Sequence, residues 1–170
     1  MNAFDGSIQR LREDFDAVFA EPPPPPPEAA ERLLAIRIAG DPYAVRMDEV
    51  GRLAPCRAVT PLPGAPPAFR GLAGLRGEIL PVWDLAGLLG YPAPLPHPRW
   101  LLCWRAAPAW AAAFDAYEGY WEAPLRDLKP FVGGGCAAGL AGSLCVHGDL
   151  LRPVLSLEML LQSIRTKEIR

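Results

Sequence analysis

Apolar residues in this chain fall into short runs broken by glycine, proline and acidic residues, not into long helical stripes. The clearest run is Ile79, Leu80, Val82 and Trp83, interrupted only by Pro81. Bounded by a turn at Gly77 and Glu78, it predicts a buried or half-buried strand. Asp84 follows in a position suited to an N-cap, where its carboxylate accepts from the free amides of a helix. Leu85, Leu88 and Leu89 share one helical face. Gly90 is expected to end that helix in a left-handed conformation, and Pro92 blocks its restart. The predicted unit is strand, tight turn, strand and short capped helix.

The unit recurs near the other end. Gly139-Leu-Ala-Gly142 repeats Gly71-Leu-Ala-Gly74, Pro153 to Leu157 repeats Pro81 to Leu85, and Leu160-Leu161 repeats Leu88-Leu89. Ser156 stands where Asp84 stood, and both residue types cap helices. A short insertion in a turn is expected to absorb the small drift in spacing between the blocks. Upstream, Leu33-Leu34 before Asp48 to Gly51 is echoed by Leu101-Leu102 before Asp115 to Gly119. Two halves on one plan follow, at about 33–95 and 96–162, joined by the proline-rich stretch 91–98.

Strands are expected at Leu33 to Ile38 and Tyr43 to Met47 around a Gly40-Asp41-Pro42 turn, and at Val50 to Leu53. In the second half they are expected at Trp100 to Arg105, Trp110 to Asp115, Tyr117 to Trp121 and Leu150 to Leu155. Phe131 to Gly135 reads as a flexible loop. Leu157, Leu160, Leu161 and Ile164 stripe a closing helix, and 163–170 is a basic tail with Arg165, Lys167 and Arg170. At the other terminus, 1–20 forms a helical pattern through Ile8, Leu11, Phe15, Val18 and Phe19. A proline-rich linker, 21–31, follows, with Pro22 to Pro27 as a stiff spacer of about 19 Å. That helix is either a docking element for a partner, or it folds back on its own domain or frays in solvent. The fold class expected is mainly β: two small five-stranded barrels with short helices, sharing apolar surface because each is small.

The 170 residues, 51% hydrophobic, suffice for one domain or two packed subdomains. The net charge of −2 comes without any Lys/Arg cluster, which argues against nucleic acid as a partner. No apolar stretch is long enough to span a bilayer, and the start MNAFDGSIQR lacks a secretory pattern, so the cytoplasm is expected. The 4 cysteines have no framework spacing. No nucleophile elbow, zinc-protease helix or phosphate loop occurs, and Gly133 to Gly135 lacks the lysine and helix a phosphate cradle needs. Cys136, Cys145 and His147 are zinc-compatible types, yet without a close pair or a fourth ligand they make no site, and Cys103 reads as core. No catalytic residue, metal or cofactor is therefore expected. Arg76 is the candidate binding residue: at a turn between two apolar strands a guanidinium can clamp carboxylates or carbonyls, although a plain solvent-facing arginine fits equally. A metal-binding or enzymatic β-barrel, and a generic barrel that captures polyproline, remain as alternatives.

The segment VTPLPGAPPAFRGLAGLRGEILPVWDL resembles the central signature of CheW-like domains, the adaptor modules of bacterial chemosensory arrays. The matching residues are Gly71, Leu75-Arg76-Gly77 and Pro81-Val82-Trp83-Asp84-Leu85. The resemblance implies two SH3-like five-stranded barrels. It also implies a non-enzymatic role, coupling the cytoplasmic tip of methyl-accepting chemoreceptors to the regulatory domain of a CheA-type histidine kinase. The implied protein-binding residues are Arg76, Val50, Arg52, Leu53, Val59, Leu75 and Glu78; Gly77, Pro81, Asp84, Gly90 and Ser156 are structural. The receptor's helical hairpin is expected in the groove between barrels near Arg76, and the kinase domain on another face. One departure stands out: Val50-Gly51-Arg52-Leu53 carries a base where the family commonly has an acid. A partner built to meet a carboxylate would face a like charge, so an accessory adaptor that binds receptor but not kinase is a second expectation. Glu49 or Glu78 would then have to serve as counter-ion to Arg76.

Overall fold

The computed structural model describes residues 28–105, 109–135 and 139–168. The N-terminal helix expected at 1–20, the Pro22 to Pro27 spacer and Cys136 lie outside these residues. The described chain runs β1 (Ala30–Ile38), β2 (Asp41–Arg46), β3 (Val50–Pro55), β4 (Phe69–Leu75), β5 (Glu78–Asp84) and helix α1 (Leu85–Leu89). It continues with β6 (Trp100–Trp104), β7 (Ala111–Phe114), β8 (Ala116–Pro124), a 3₁₀ turn (Leu125–Asp127), β9 (Lys129–Pro130), β10 (Ala141–His147), β11 (Leu150–Leu155) and helix α2 (Leu157–Glu168). Helix α2 thus takes in most of the stretch expected as a basic tail.

The strands form two sheets, β8-β1-β2-β11-β10-β9 with 6 strands and β3-β6-β7-β5-β4 with 5. The two-residue β9 makes the difference from the expected five, by adding to β10 through Ser143 and Leu144. The twofold plan is present, and the stretch 91–98 lies between the two repeats, but the repeats do not coincide with the sheets. Each half keeps its first hairpin (β1–β2 or β6–β7) in one sheet and sends its third strand and last hairpin to the other. Parallel contacts stitch the exchange: Ala44 with Val154 and Val45 with Leu155, and Val82 with Ala111. The physical reason is edge satisfaction: either half alone would leave strand edges and apolar faces uncovered.

Within the hairpin–helix unit the repeat runs at one constant spacing. The β4–β5 ladder bulges between Phe69 (opposite Trp83) and Gly71 (opposite Val82). The β10–β11 ladder bulges between Ala141 (opposite Leu155) and Ser143 (opposite Val154). Phe69 to Gly71 therefore answers Ala141 to Ser143, and the Gly139 tetrapeptide's likeness to the Gly71 tetrapeptide is out of register.

Three apolar clusters result. Ala73, Leu80, Val82, Leu101, Cys103, Ala111 and Ala113 fill the five-stranded barrel. Leu33, Ala44, Ala123, Cys145 and Val154 fill the six-stranded one. Between the sheets lie Ile36, Val45, Trp83, Leu102, Phe114 and Leu155, closed by Leu85 and Leu88 of α1 and Leu157, Leu160 and Ile164 of α2. Neighbours such as Leu33 and Leu34 serve opposite faces, both buried. This is why the strands read as apolar runs and not as alternation. Arg152, only 4% exposed, crosses the six-stranded sheet. It donates to Glu118 at 2.6 Å and to the Tyr43 carbonyl at 3.3 Å, and Glu118 also accepts from Arg37 at 2.5 Å.

Candidate docking surface

The β4–β5 hairpin presents Arg76. Its two-residue turn has φ 52° at Arg76 and 85° at Gly77, the positive values of a type I′ turn that matches strand twist. An arginine there costs about 1–2 kcal/mol over glycine or asparagine. Below the turn the hairpin is held from two sides. Gly71, at φ 129°, lies so close to the 58–68 connection that a Cβ would stand 2.0 Å from the Thr60 carbonyl oxygen. At the base, Asp84 is fully buried and N-caps α1 by accepting from Gly87 N at 3.1 Å. It also accepts from Arg70 Nη1 at 2.6 Å and Leu95 N at 3.1 Å. Gly90 ends α1 at φ 85°. The second unit caps differently: Ser156 Oγ accepts from Met159 N at 3.4 Å, and Glu49 reaches over to accept from Leu157 N at 2.8 Å. Burial pushes the Glu49 carboxyl up, and the Leu157 amide and Arg46 only partly offset it.

Arg76 is exposed and lies on the rim of a notch of about 430 Å³. Arg52, Arg57 and Arg76 surround an apolar floor of Leu53, Ala54, Ala73, Leu75 and Leu101, and no carboxylate lines it. Among the described residues none of the three arginines has an ion pair. Glu78 lies in a neighbouring hollow of about 330 Å³ with Arg52, Leu80, Cys103 and Trp104.

Four of the sequence-derived binding residues, Arg52, Leu53, Leu75 and Arg76, therefore meet at one notch, and Glu78 lines the next. Val59 is half-buried and packs against the five-stranded barrel's interior. Val50 is corrected: at 7% exposure it belongs to the core between the sheets, because it pairs with Trp104 and turns inward, and it offers no docking surface. Two further expectations change. The notch is lined by β3, β4, β6, Arg76 of the β4–β5 turn and the chain after β3, so it lies within one sheet and is distinct from the groove expected between barrels. Glu49 caps α2, so it is not the counter-ion of Arg76. Arg57, Ala54, Ala58 and Leu101 were missed; only the arginine at 57, just beyond the strand carrying Arg52, hinted at a shared site.

The notch itself is lined by apolar residues, Gly74 and the three arginines. Burial pushes the Cys103 thiol up, Arg52 pulls it down and Glu78 raises it again, the net being a poor nucleophile. Cys145 is buried, with its thiol likewise raised, mainly by burial, and His147 stacks on Trp121. Among the described residues no group of three His, Cys, Asp or Glu gathers as metal ligands, and no helix is long and apolar enough to cross a membrane.

A family model described as the CheW-like domain matches residues 32–165. The chain belongs to the CheW-like domain family. The scaffolding protein TtCheW of Thermoanaerobacter tengcongensis has a similar fold, with a TM-score of 0.70 and 17% identity over 78% of this chain and 92% of that one. Protein PilI of Pseudomonas aeruginosa is 37% identical over 57 residues, 34% of this chain. The chain spans only 32% of the length of that relative.

Proposed function

We propose that this CheW-like chain is a non-enzymatic scaffold of a bacterial chemosensory system, coupling the cytoplasmic tip of methyl-accepting chemoreceptors to a CheA-type histidine kinase. The observation that carries the reading is Arg76, exposed on a hairpin turn at a positive φ beside a notch whose arginines have no ion pair among the described residues. Left-handed backbone at a non-glycine residue is strain that function often explains. Work of this kind is done by holding partners in register, in the cytoplasm at the receptor array. The test is pulldown with a receptor signalling fragment and, separately, the kinase regulatory domain. Arg76→Glu weakens receptor capture without lowering the melting temperature; unchanged receptor affinity sinks the placement.

A second reading is favoured by Arg52 on the notch rim, with no carboxylate lining the notch. A kinase surface shaped for an acid is repelled there, and the chain acts as an accessory adaptor that binds receptor alone. Arg52→Glu then restores kinase capture. Equal capture of both partners by the unaltered chain removes this reading.

A further inference from the structure

The two barrels differ where their symmetry says they should match. In the six-stranded barrel the interior Leu33 pairs with Trp121. Trp121 stacks on His147, which closes the β10–β11 hairpin opposite Leu150, with centroids 4.1 Å apart and planes 24° apart. Those rings plug the seam between β8 and β10. In the five-stranded barrel the corresponding interior leucine, Leu101, pairs with Ala54, and Leu75 closes the β4–β5 hairpin opposite Glu78. Alanine in the place of tryptophan leaves the seam between β3 and β4 open, and the opening is the notch of about 430 Å³. Its surround is equally particular: the guanidinium groups of Arg52, Arg57 and Arg76, without an ion pair among the described residues, and no lining carboxylate.

We propose that this notch is a docking cradle for a partner polypeptide segment that presents one large aromatic side chain flanked by carboxylates. The ring takes the place that Trp121 fills in the twin barrel. The carboxylates meet the arginines, whose planar forks bind them bidentately. A buried aromatic ringed by charge pairs is a common energetic centre of an interface. A nucleotide also combines a ring with anionic groups, but the aliphatic floor of Leu53, Ala54, Ala73, Leu75 and Leu101 offers a base neither a stacking platform nor hydrogen bonds. The assignment concerns the chemistry of the segment and stands independently of the receptor–kinase reading.

The test is an amide NMR titration of the full chain with the end-blocked peptide Gly-Glu-Asp-Trp-Asp-Glu-Gly. Shifts are expected at Ala54, Ala73, Gly74 and Leu75. Replacing the peptide's acids by their amides, or its tryptophan by alanine, weakens binding roughly tenfold, as does Arg52→Gln or Arg76→Gln in the protein. Ala54→Trp rebuilds the twin's plug and abolishes binding; the two surface arginine variants keep the test decisive if that variant does not fold. The proposal is overturned by no shifts up to about 5 mM peptide, by equal binding of the neutral peptide, by undiminished binding to both arginine variants, or by tighter binding of an oligonucleotide at the same residues. Loss of receptor or kinase capture alone leaves these shifts unchanged, so the two readings fail separately.

Discussion

Replacing Asp84 by alanine removes a carboxylate with no exposed surface and three donors: Gly87 N, Leu95 N and Arg70 Nη1. The lost N-cap costs about 1 kcal/mol. Leu95 N–H, in a buried hydrogen bond, loses its acceptor at about 1–3 kcal/mol. Arg70, with 23% of its side chain exposed, can turn partly to water. Its unpairing therefore adds about 1 kcal/mol, well below the figure for a fully buried pair. The sum is about 3–5 kcal/mol, roughly 6–20 °C of melting temperature for a domain of this size. Asp84→Ser, which copies Ser156 of the second unit, keeps the cap and costs about 1 kcal/mol less. Urea unfolding followed by tryptophan fluorescence reads both variants, since the neighbouring Trp83 is 5% exposed. A loss under about 1 kcal/mol for the alanine variant, or a serine variant no better than it, refutes this account.

Gly71→Ala drives a Cβ into the Thr60 carbonyl and is expected to cost roughly 3 kcal/mol or more by thermal melting; an unchanged melting point refutes the close approach. Arg76→Asn relieves left-handed strain, so it raises stability by about 1–2 kcal/mol while weakening partner capture. A stability loss would show the arginine to be structural. Burial alone would push the Glu118 carboxyl up, but Arg37 and Arg152 outweigh it and hold it below the ordinary glutamate range. Its stabilisation is present at neutral pH and fades as pH falls through that lowered folded value. The stability gap between wild type and Glu118→Gln should therefore close below about pH 4; a constant gap contradicts the pairing. Residues 28–95 expressed alone should give a poorly dispersed NMR spectrum, because β1–β2 and β3–β5 belong to different sheets.

The mainly β class and the repeated strand–turn–strand–helix unit were legible because they rest on short-range signals: apolar runs, turn residues and caps a few positions apart. Strand exchange was not, since pairings such as Val45 with Leu155 leave no local trace and either half could have closed on itself. For the same reason Asp84 reads as a cap from its place before Leu85, whereas its bond to Leu95 N appears only in three dimensions. Val50 was misassigned to the surface because a bulge between Val50 and Arg52 breaks the strand's alternation, which the sequence does not reveal. At the notch, Arg76 stood out by its turn. Ala54 did not, because its meaning is the absence of a ring that only the partner barrel reveals.

The exchange of strands has a consequence for biosynthesis. The first hairpin, β1–β2, is complete well before either of its strand partners, β8 and β11, has been made. At about 5–20 residues per second it waits on the order of ten seconds with Leu34, Ile36 and Val45 uncovered. Nascent chains of this protein should therefore lean on a holding chaperone until β11 has emerged. A stop codon anywhere before β11 would yield no usable fragment.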